Sequence, residues 1–507
     1  MKGLKRRDFL KMGMLSGIGV ATYSVAPCIF GHKASKNITL SKKEIERIIG
    51  RGIAKGADFV ETYKERSVIS SITVNSRAVA RNETQSIRGL GLRTFINDGV
   101  QHQWSEDFSE KGISDLISKM NEGQARSKEI EYKTFKELSY PEISPVKIPP
   151  ENTPTKRKLE YLREVEHFAY DFDKRIKDVI LLYQDKTQDL SIANSDGLFV
   201  QGKRSDIILI VIALAEHQGT YSIGSSFIGG NIGSEIFDRE APGKIAKEAA
   251  TQALELLNPK PIPKEKLSII FANKSGIFHE CLGHPLEARH REGVFKSKLN
   301  EQLTSQPLTV IDDATIPDLG GSFSFDDEGT KSQRKVLIEK GILRGFMYDK
   351  YYAKKYGVES TGNGRRASYK FPPLARMSNF MIEAGDIPFE EILKETKQGI
   401  LAVSGSGGRS FSMKGAYMLP FYAAFYVDNG KVAYPLQPFI YQGTILRTMH
   451  NIDMIGDDFI QSSTGKCGLE QVITVTNGAP SVRLKEAEKF IPLDINQFIL
   501  KLKNSKL

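Results

Sequence analysis

The chain has 507 residues, of which 40% are apolar and 26% are charged. That composition is ordinary for a globular protein and excludes a disordered chain, a collagen-like repeat and a small disulfide-linked fold. The length suggests roughly three domains. The formal net charge of +10 is spread thinly, with no dense basic block interleaved with aromatic residues, so no nucleic-acid partner is expected.

The N-terminal segment has the features of an export signal. The string Lys5-Arg6-Arg7-Asp8-Phe9 precedes a mostly apolar run that contains several glycine and serine residues. A paired arginine before such a run predicts a twin-arginine signal over residues 1–34, recognised by the twin-arginine export machinery. We therefore expect an exported, periplasmic protein, held at the membrane by this segment if the signal is not cleaved.

Two units that mix helices and strands are predicted before residue 263. The first covers residues 35–135, and the second, central unit covers residues 156–262. A proline-rich linker over residues 136–155 separates them, because closely spaced prolines favour an extended chain. The predicted elements, in chain order, are a helix over 41–56 with Ser41 as N-cap, strands Phe59–Tyr63, Val68–Val74 and Gly91–Phe95, a helix over 106–122, a helix over 155–175, strands 178–184, 189–193, 197–202 and 206–216, and a helix over 234–257.

The last unit, residues 263–507, differs from the first two. It opens with the buried strand Ser268–Ala272 and a helix that begins near Ser275, and then continues with many short apolar runs separated by glycine, aspartate and asparagine turns. This pattern predicts a β-rich domain. The fold class expected for the whole chain is α+β, with a small N-terminal α/β unit, a central α/β unit and a β-rich C-terminal domain that carries the metal-site helix.

The chemistry lies in the string from Gly276 to Glu287, which contains His279-Glu280-x-x-x-His284. The usual zinc-peptidase motif spaces its two histidines four residues apart, because such residues share one helix face. Residues five apart on a regular helix point about 140° apart. The helix must therefore widen into a π-turn or break at the second histidine, and the flanking Gly283 and Pro285 favour that distortion.

A zinc site needs a third protein ligand and an open position. From chemistry alone the candidates are Glu287, His290, His450 and Cys467; Cys467 is favoured over His290, because it lies in a glycine-flanked turn beside Lys466, but the alternatives stay open. Glu280 is predicted to be the general base that takes a proton from metal-activated water. Cys281 is interpreted as a core residue, with a regulatory disulfide between Cys281 and Cys467 as an alternative.

Several further strings of the C-terminal unit form a recognisable set together with the histidine motif. They are Gly276–Glu287, Asp326-Asp327-Glu328-Gly329-Thr330, Gly341-Ile342-Leu343-Arg344-Gly345, Tyr348-Asp349-Lys350, Thr361-Gly362-Asn363-Gly364-Arg365-Arg366, Arg376-Met377-Ser378-Asn379 and Gly465-Lys466-Cys467-Gly468. Through these strings the unit resembles the TldD/PmbA family of metallopeptidases over about 265–485, with a looser match of the N-terminal unit at Ala57–Glu61 and Arg88–Arg93.

The resemblance implies a zinc peptidase of the TldD type, in which His279, His284 and Cys467 hold the metal and Glu280 is the base. It also implies flexible or unfolded peptides as substrates, cleaved inside a closed chamber formed by a homodimer or by a heterodimer with a metal-less PmbA-type partner.

Further residues are candidates for substrate binding. Gly405, Gly407 and Gly408 lie in a glycine-rich loop whose backbone could pair with a peptide strand, or which could be a plain turn. Arg365 and Arg366 could hold a carboxylate or an oxyanion, or could form structural ion pairs with the acids at 326–328. His450 is a candidate for stabilising the tetrahedral intermediate.

Two features depart from the family pattern: the export signal is unusual for a family best known from the cytoplasm, and the polar residues of the glycine-rich loop differ from those expected. Two other functions therefore stay open at this point. One is a non-catalytic, peptide-binding subunit of a TldD/PmbA-type complex, which a degenerate metal motif would indicate. The other is a zinc hydrolase of non-peptide amide bonds, because metal-activated water serves both reactions.

Overall fold

The computed structural model describes residues 40–96, 98–120 and 133–494, so the predicted twin-arginine segment lies outside the described residues. Among the described residues, no helix is long and apolar enough to cross a membrane. The predicted α+β class is confirmed. The helices are α1 Lys42–Ala54, α2 Glu110–Ser118, α3 Thr155–Phe172, α4 Ile236–Arg239, α5 Pro242–Glu255, α6 Lys350–Tyr356, α7 Phe389–Lys394 and α8 Ile445–Asn451. The strands are β1 Phe59–Asn75, β2 Ala78–Ile96, β3 Gly99–Ser105, β4 Lys136–Leu138, β5 Ile176–Asn194, β6 Leu198–His217, β7 Thr220–Gly230, β8 Ser268–Phe271, β9 Val310–Asp313, β10 Arg334–Glu339, β11 Ile342–Leu343, β12 Gly364–Arg365, β13 Leu374–Ala375, β14 Asn379–Ile382, β15 Gln398–Gly405, β16 Arg409–Phe411, β17 Ala416–Asp428, β18 Lys431–Pro435, β19 Phe439–Thr444, β20 Ile452–Ile455, β21 Ile460–Cys467, β22 Ile473–Ala479, β23 Val482–Leu484 and β24 Lys489–Pro492.

The first sheet joins the N-terminal and central parts of the chain. Its strand order is β3-β2-β1-β5-β6-β4, with β7 paired to β6. The long antiparallel pairing of β1 with β5 makes it one continuous surface. Helices α1 and α2 cover one part of this sheet, and α3 and α5 cover another, each burying apolar side chains against the strands. Helix α1 begins as predicted, because Ser41 and Glu44 form a reciprocal capping box.

The strands of this sheet are longer than predicted. Phe59–Tyr63 and Val68–Val74 were expected to be separate, but they form the single strand β1, and the strands expected in the central unit merge into β5 and β6 in the same way. The polar residues between them do not interrupt β1 because it is paired on both edges. Glu65 and Ser67 are buried and satisfy one another through a hydrogen bond of 2.6 Å.

The prediction of one continuous helix over 234–257 is wrong. It consists of α4 and α5, and the break falls at the bond between Ala241 and Pro242. The residue before a proline is driven out of the helical conformation, and proline itself is favoured at the first position of a new helix. Strand β7, which the sequence patterns did not predict, precedes α4 and forms an edge of the first sheet.

The C-terminal part contains two larger sheets. One has six strands in the order β11-β10-β9-β14-β22-β21, and the other has nine, ordered β20-β23-β8-β15-β17-β19-β24 with β16 and β18 attached to β17. The predicted dominance of strands here is confirmed. Because β8 and β15 are parallel neighbours, their carboxyl ends lie side by side. The segment that contains His279 and the glycine-rich loop therefore start from the same edge of this sheet.

A buried network of ion pairs joins the first sheet to the C-terminal part. Arg93 contacts Glu61 at 2.9 Å and Glu328 at 2.6 Å, and Arg366 contacts Glu61 at 2.6 Å. Arg204 of the central part contacts Asp327 of the C-terminal part at 2.6 Å. Breaking a buried pair leaves an uncompensated charge, which costs about 3–5 kcal/mol, so these contacts resist any change in how the two parts are placed.

Candidate metal centre

The two histidines lie on a distorted helical segment. Residues His279–Gly283 form a π-turn, and His284–Leu286 continue as a single 3-10 turn. The extra residue of the π-turn brings a five-residue spacing back onto one face, as the sequence predicts. Glycine at position 283 allows close packing here, because a Cβ would lie 2.1 Å from the sulfur of Met377.

The structure brings both histidines to the distant Cys467. Its Sγ lies 3.2 Å from His279 Nε2 and 3.4 Å from His284 Nε2. The three ligand atoms all lie within 4.8 Å of one another, and all three residues are buried. Cys467 reaches this position because it is the last residue of β21, whose partner β22 lies in the six-stranded sheet.

Hydrogen bonds from the far side of each ring set which nitrogen faces the sulfur. His279 Nδ1 lies 3.1 Å from Asn477 Oδ1, and His284 Nδ1 lies 2.9 Å from Glu287 Oε1. Because an amide oxygen and a carboxylate only accept, each Nδ1 carries a proton and faces away from the sulfur, so Nε2 is the atom that each ring presents to a metal ion. Such partners orient the imidazoles that bind metal ions.

The donor set fits zinc. Two imidazole nitrogens and one thiolate are typical zinc ligands, and with three protein ligands one position stays open. Ideal tetrahedral bonds to zinc would separate a nitrogen and a sulfur by about 3.6 Å. The observed separations of 3.2 and 3.4 Å are close to that value and need only a small expansion.

The other candidates for the third ligand lie elsewhere. Glu287 is behind His284, where it accepts a hydrogen bond from the ring rather than facing Cys467. His290 Nδ1 contacts the backbone oxygen of His284 at 2.7 Å. His450 was expected between strands, but it lies on the exposed side of helix α8 and is not in the wall of the cavity described below.

Charges around the sulfur favour its ionised form. Burial raises the pKa of the Cys467 thiol, but the His284 ring and the Arg376 guanidinium outweigh burial and hold the pKa well below its ordinary value. For Glu287, burial also acts to raise the pKa, but the neighbouring His284 and Arg376 lower it. The metal-ligating form of the cysteine is therefore favoured within the protein itself.

The surroundings of Cys281 shift the pKa of its thiol in the opposite direction to that of Cys467. Cys281 is fully buried in the apolar core beside Tyr417, and burial raises the pKa of its thiol. Both Cys281 and Cys467 are free thiols in the structure.

A cavity of about 2250 Å³ opens in front of the three ligands. Its wall includes Glu280, the glycine-rich loop over 404–411 and residues from the central part of the chain. Glu280 is only 9% exposed, and its Oε2 lies 3.9 Å from His284 Nε2. Burial raises the pKa of its carboxyl group. A carboxylate at this distance from the ligands faces the space that a reacting group would occupy.

The predicted substrate-binding residues fall into two sets. Gly405, Gly407 and Gly408 line the cavity. A Cβ at Gly408 would lie 2.5 Å from Glu280 Cγ, so the loop packs directly against the glutamate. Arg365 and Arg366 do not line it: Arg365 donates to Met377 O at 2.7 Å, and Arg366 belongs to the buried ion network.

Two residues of the site were missed by the sequence patterns. Asn477 was interpreted only as part of an Asn-Gly turn, but it supports His279. Arg376 follows the short strand β13 and contacts the sulfur of Cys467 at 2.8 Å. The sequence indicates Arg376 only as a single arginine between apolar residues. Its partner, Cys467, cannot be inferred from local sequence because it lies 91 positions further along the chain.

Comparisons with known proteins identify the family and the fold. Residues 264–488 match the model of the PmbA/TldA metallopeptidase C-terminal domain, and residues 148–257 match that of the central domain. The chain is 30% identical to a metalloprotease of Methanocaldococcus jannaschii, over 88% of this chain and 98% of that protein. It is 25% identical to a zinc metalloprotease TldD homolog of Saccharolobus solfataricus, over 85% of this chain and 96% of that protein. Its fold resembles the crystal structure of TldE from Thermococcus kodakarensis, with a TM-score of 0.70 and 19% identity, over 88% of this chain and 99% of that chain.

Proposed function

Because this chain belongs to the PmbA/TldD family of metallopeptidases, we propose that it is a zinc peptidase in which His279, His284 and Cys467 hold the metal and Glu280 is the general base. The observation that carries the proposal is the convergence of two Nε2 atoms and one Sγ at the wall of a large cavity. The name of the Saccharolobus relative gives independent support for zinc. The intact set of ligands and glutamate argues against a non-catalytic binding subunit.

When bound, zinc would supply a Lewis acid that activates water and polarises the scissile carbonyl. The residues of the chain transfer the proton and orient the ligands. Glu280, held in a buried position beside His284, accepts a proton from the attacking water and passes it to the leaving amine. Asn477 and Glu287 keep the two rings oriented, so that the ligands do not have to reorganise during the reaction.

Replacing the proposed base tests this function directly. Glu280→Gln removes the group that accepts the proton but keeps its size, so peptide cleavage should fall about 10²- to 10⁴-fold. Cleavage of an unstructured fluorogenic peptide is measured together with the zinc content of each protein. Glu248→Gln changes another glutamate of the same cavity and should retain activity. Full cleavage by a zinc-loaded Glu280→Gln protein would refute the proposed role.

The proposed substrates are flexible or unfolded peptides. The cavity of about 2250 Å³ could hold an extended segment, and the loop with Gly405, Gly407 and Gly408 lies at its wall beside Glu280. An extended peptide can hydrogen-bond to exposed backbone groups without help from side chains, which suits a protease of broad specificity.

The close contact of Gly408 with Glu280 yields a second test. In Gly408→Ala the new methyl group must displace the glutamate side chain, so kcat should fall about 10- to 100-fold, because small misplacements of a reacting group are costly. Zinc content should not change. The matched control is Gly465→Ala, also in the cavity wall, where a Cβ meets no atom within 4 Å. Equal losses in both variants would contradict the assignment.

We also propose export to the periplasm, on the basis of Arg6 and Arg7 before the apolar run. A fusion of residues 1–34 to a reporter that folds in the cytoplasm should be exported by bacteria that have twin-arginine machinery. Replacing Arg6 and Arg7 together by lysine should block export, whereas Lys2→Arg with Lys5→Arg should not. Export that is unaffected by the Arg6 and Arg7 replacements would contradict the proposal.

Finally, we propose that the protein works as a closed dimer, either of two copies or with a metal-less PmbA-type partner. The family resemblance supports this, because a chamber restricts cleavage to flexible chains. Light scattering of the active protein should give at least twice the 56.6 kDa of one chain. An active species with the mass of a single chain would exclude it.

A further inference from the structure

Arg376 is the residue in which several contacts of the metal centre meet. It is fully buried. Its Nη2 donates to Cys467 Sγ at 2.8 Å, while its Nη1 donates to the backbone oxygens of Leu469 at 2.6 Å and Gln471 at 3.0 Å. On its other side, Nε forms an ion-pair contact of 3.3 Å with Glu287 Oε1. One planar group thus contacts a ligand, the turn that follows that ligand, and an acidic side chain.

The acidic side chain links Arg376 to a second ligand. The oxygen of Glu287 that faces Arg376 also accepts the hydrogen bond from His284 Nδ1 at 2.9 Å. Cys467 and His284 are 183 residues apart. Cys467 ends strand β21, whereas His284 lies in the turn that follows the π-turn. Besides their direct contact at 3.4 Å, the two residues are joined by the side-chain path Cys467–Arg376–Glu287–His284.

We propose that Arg376 is a positioning residue of the metal centre, which fixes Cys467 relative to His284 by bridging the sulfur and Glu287. This inference rests on the proposed function, because it presupposes that these residues bind the metal. It assigns one task to the guanidinium: to hold Cys467 and the turn after it in place relative to Glu287 and His284.

The shape of the side chain explains why arginine stands here. A guanidinium offers five N–H groups in a rigid plane, so it can reach a sulfur, two carbonyls and a carboxylate at once. A lysine would keep the positive charge, but its single ammonium group could not span both the sulfur and Glu287. Outer contacts of this kind usually change metal affinity by about 10- to 100-fold.

Arg365 offers a matched control. It is also buried, at 8% exposed, and is the last residue of β12, which pairs with the strand β13 that precedes Arg376. Its guanidinium donates to Met377 O and packs over the ring of Phe323 at 5.3 Å. Among the described residues it has no contact with the three ligands or with Glu287, so a change there removes a buried arginine without touching the bridge.

The test uses cobalt in place of zinc, because a cobalt–thiolate bond gives an ultraviolet charge-transfer band that reports on Cys467. The full chain, Arg376→Lys, Arg365→Lys and Cys467→Ser are titrated with Co²⁺. We expect the band in the wild-type protein and its loss in Cys467→Ser. Arg376→Lys should bind Co²⁺ about 10- to 100-fold more weakly with a shifted band. Arg365→Lys should stay within about twofold of wild type, since nothing in the outer contacts of the metal changes.

The outcomes separate this inference from the proposed function. If wild-type protein binds Co²⁺ without the thiolate band, the proposed ligand set is wrong. If the wild-type band is present and Arg376→Lys matches it in position and affinity, only the role of Arg376 is refuted. If Arg376→Lys does not fold, Glu287→Gln is the deciding variant, because it keeps an oxygen facing His284 but removes the charge that Arg376 contacts. Unchanged Co²⁺ affinity in Glu287→Gln would overturn the inference. Weaker binding would support it.

Discussion

The site depends on one geometric constraint: two imidazoles on a single short turn must meet a sulfur from the end of a strand in another sheet. The π-turn over His279–Gly283 satisfies the first half, since it turns a five-residue spacing into a shared face. The antiparallel pairing of β21 with β22 satisfies the second half, because it carries Cys467 to within 3.4 Å of both rings. Neither half makes a metal site alone.

Burial of the site carries a free-energy cost for its charged groups and also shifts their pKa values. A buried thiolate and a buried carboxylate would each be strongly disfavoured without compensation. Arg376 lies between the two and lowers the pKa of both Cys467 and Glu287, although burial acts in the opposite direction. For Glu280, burial raises the pKa of the carboxyl group and outweighs the opposing effect of the His284 and His279 rings. Nearby positive groups thus outweigh burial at the Cys467 sulfur, whereas burial prevails at the proposed base, Glu280.

The cavity in front of the site depends on how the first sheet is placed against the C-terminal part. Its wall combines residues of the central strands and helices with the metal ligands and the glycine-rich loop. The buried pairs of Arg93 and Arg366 with Glu61 and Glu328, at 2.6 to 2.9 Å, cross this junction. The two arginines considered for substrate binding differ in this respect: Arg366 forms one of these pairs, whereas Arg365 donates to Met377 O within the C-terminal part.

Local sequence patterns determined the features whose cause is local. The capping box of Ser41 and Glu44, the β-rich character of the C-terminal domain and the distortion at Gly283 and Pro285 could all be predicted, because neighbouring residues produce them. The family resemblance named Cys467 among the candidates, and the tertiary structure places it beside the two histidines. Only the tertiary structure decided which arginine supports the sulfur and where β1, β5 and β6 run unbroken. The physical reason is the same in each case: the outcome depends on contacts such as the 2.8 Å from Arg376 to Cys467, or on pairing along both edges of a strand, and these form between residues that are far apart in the chain.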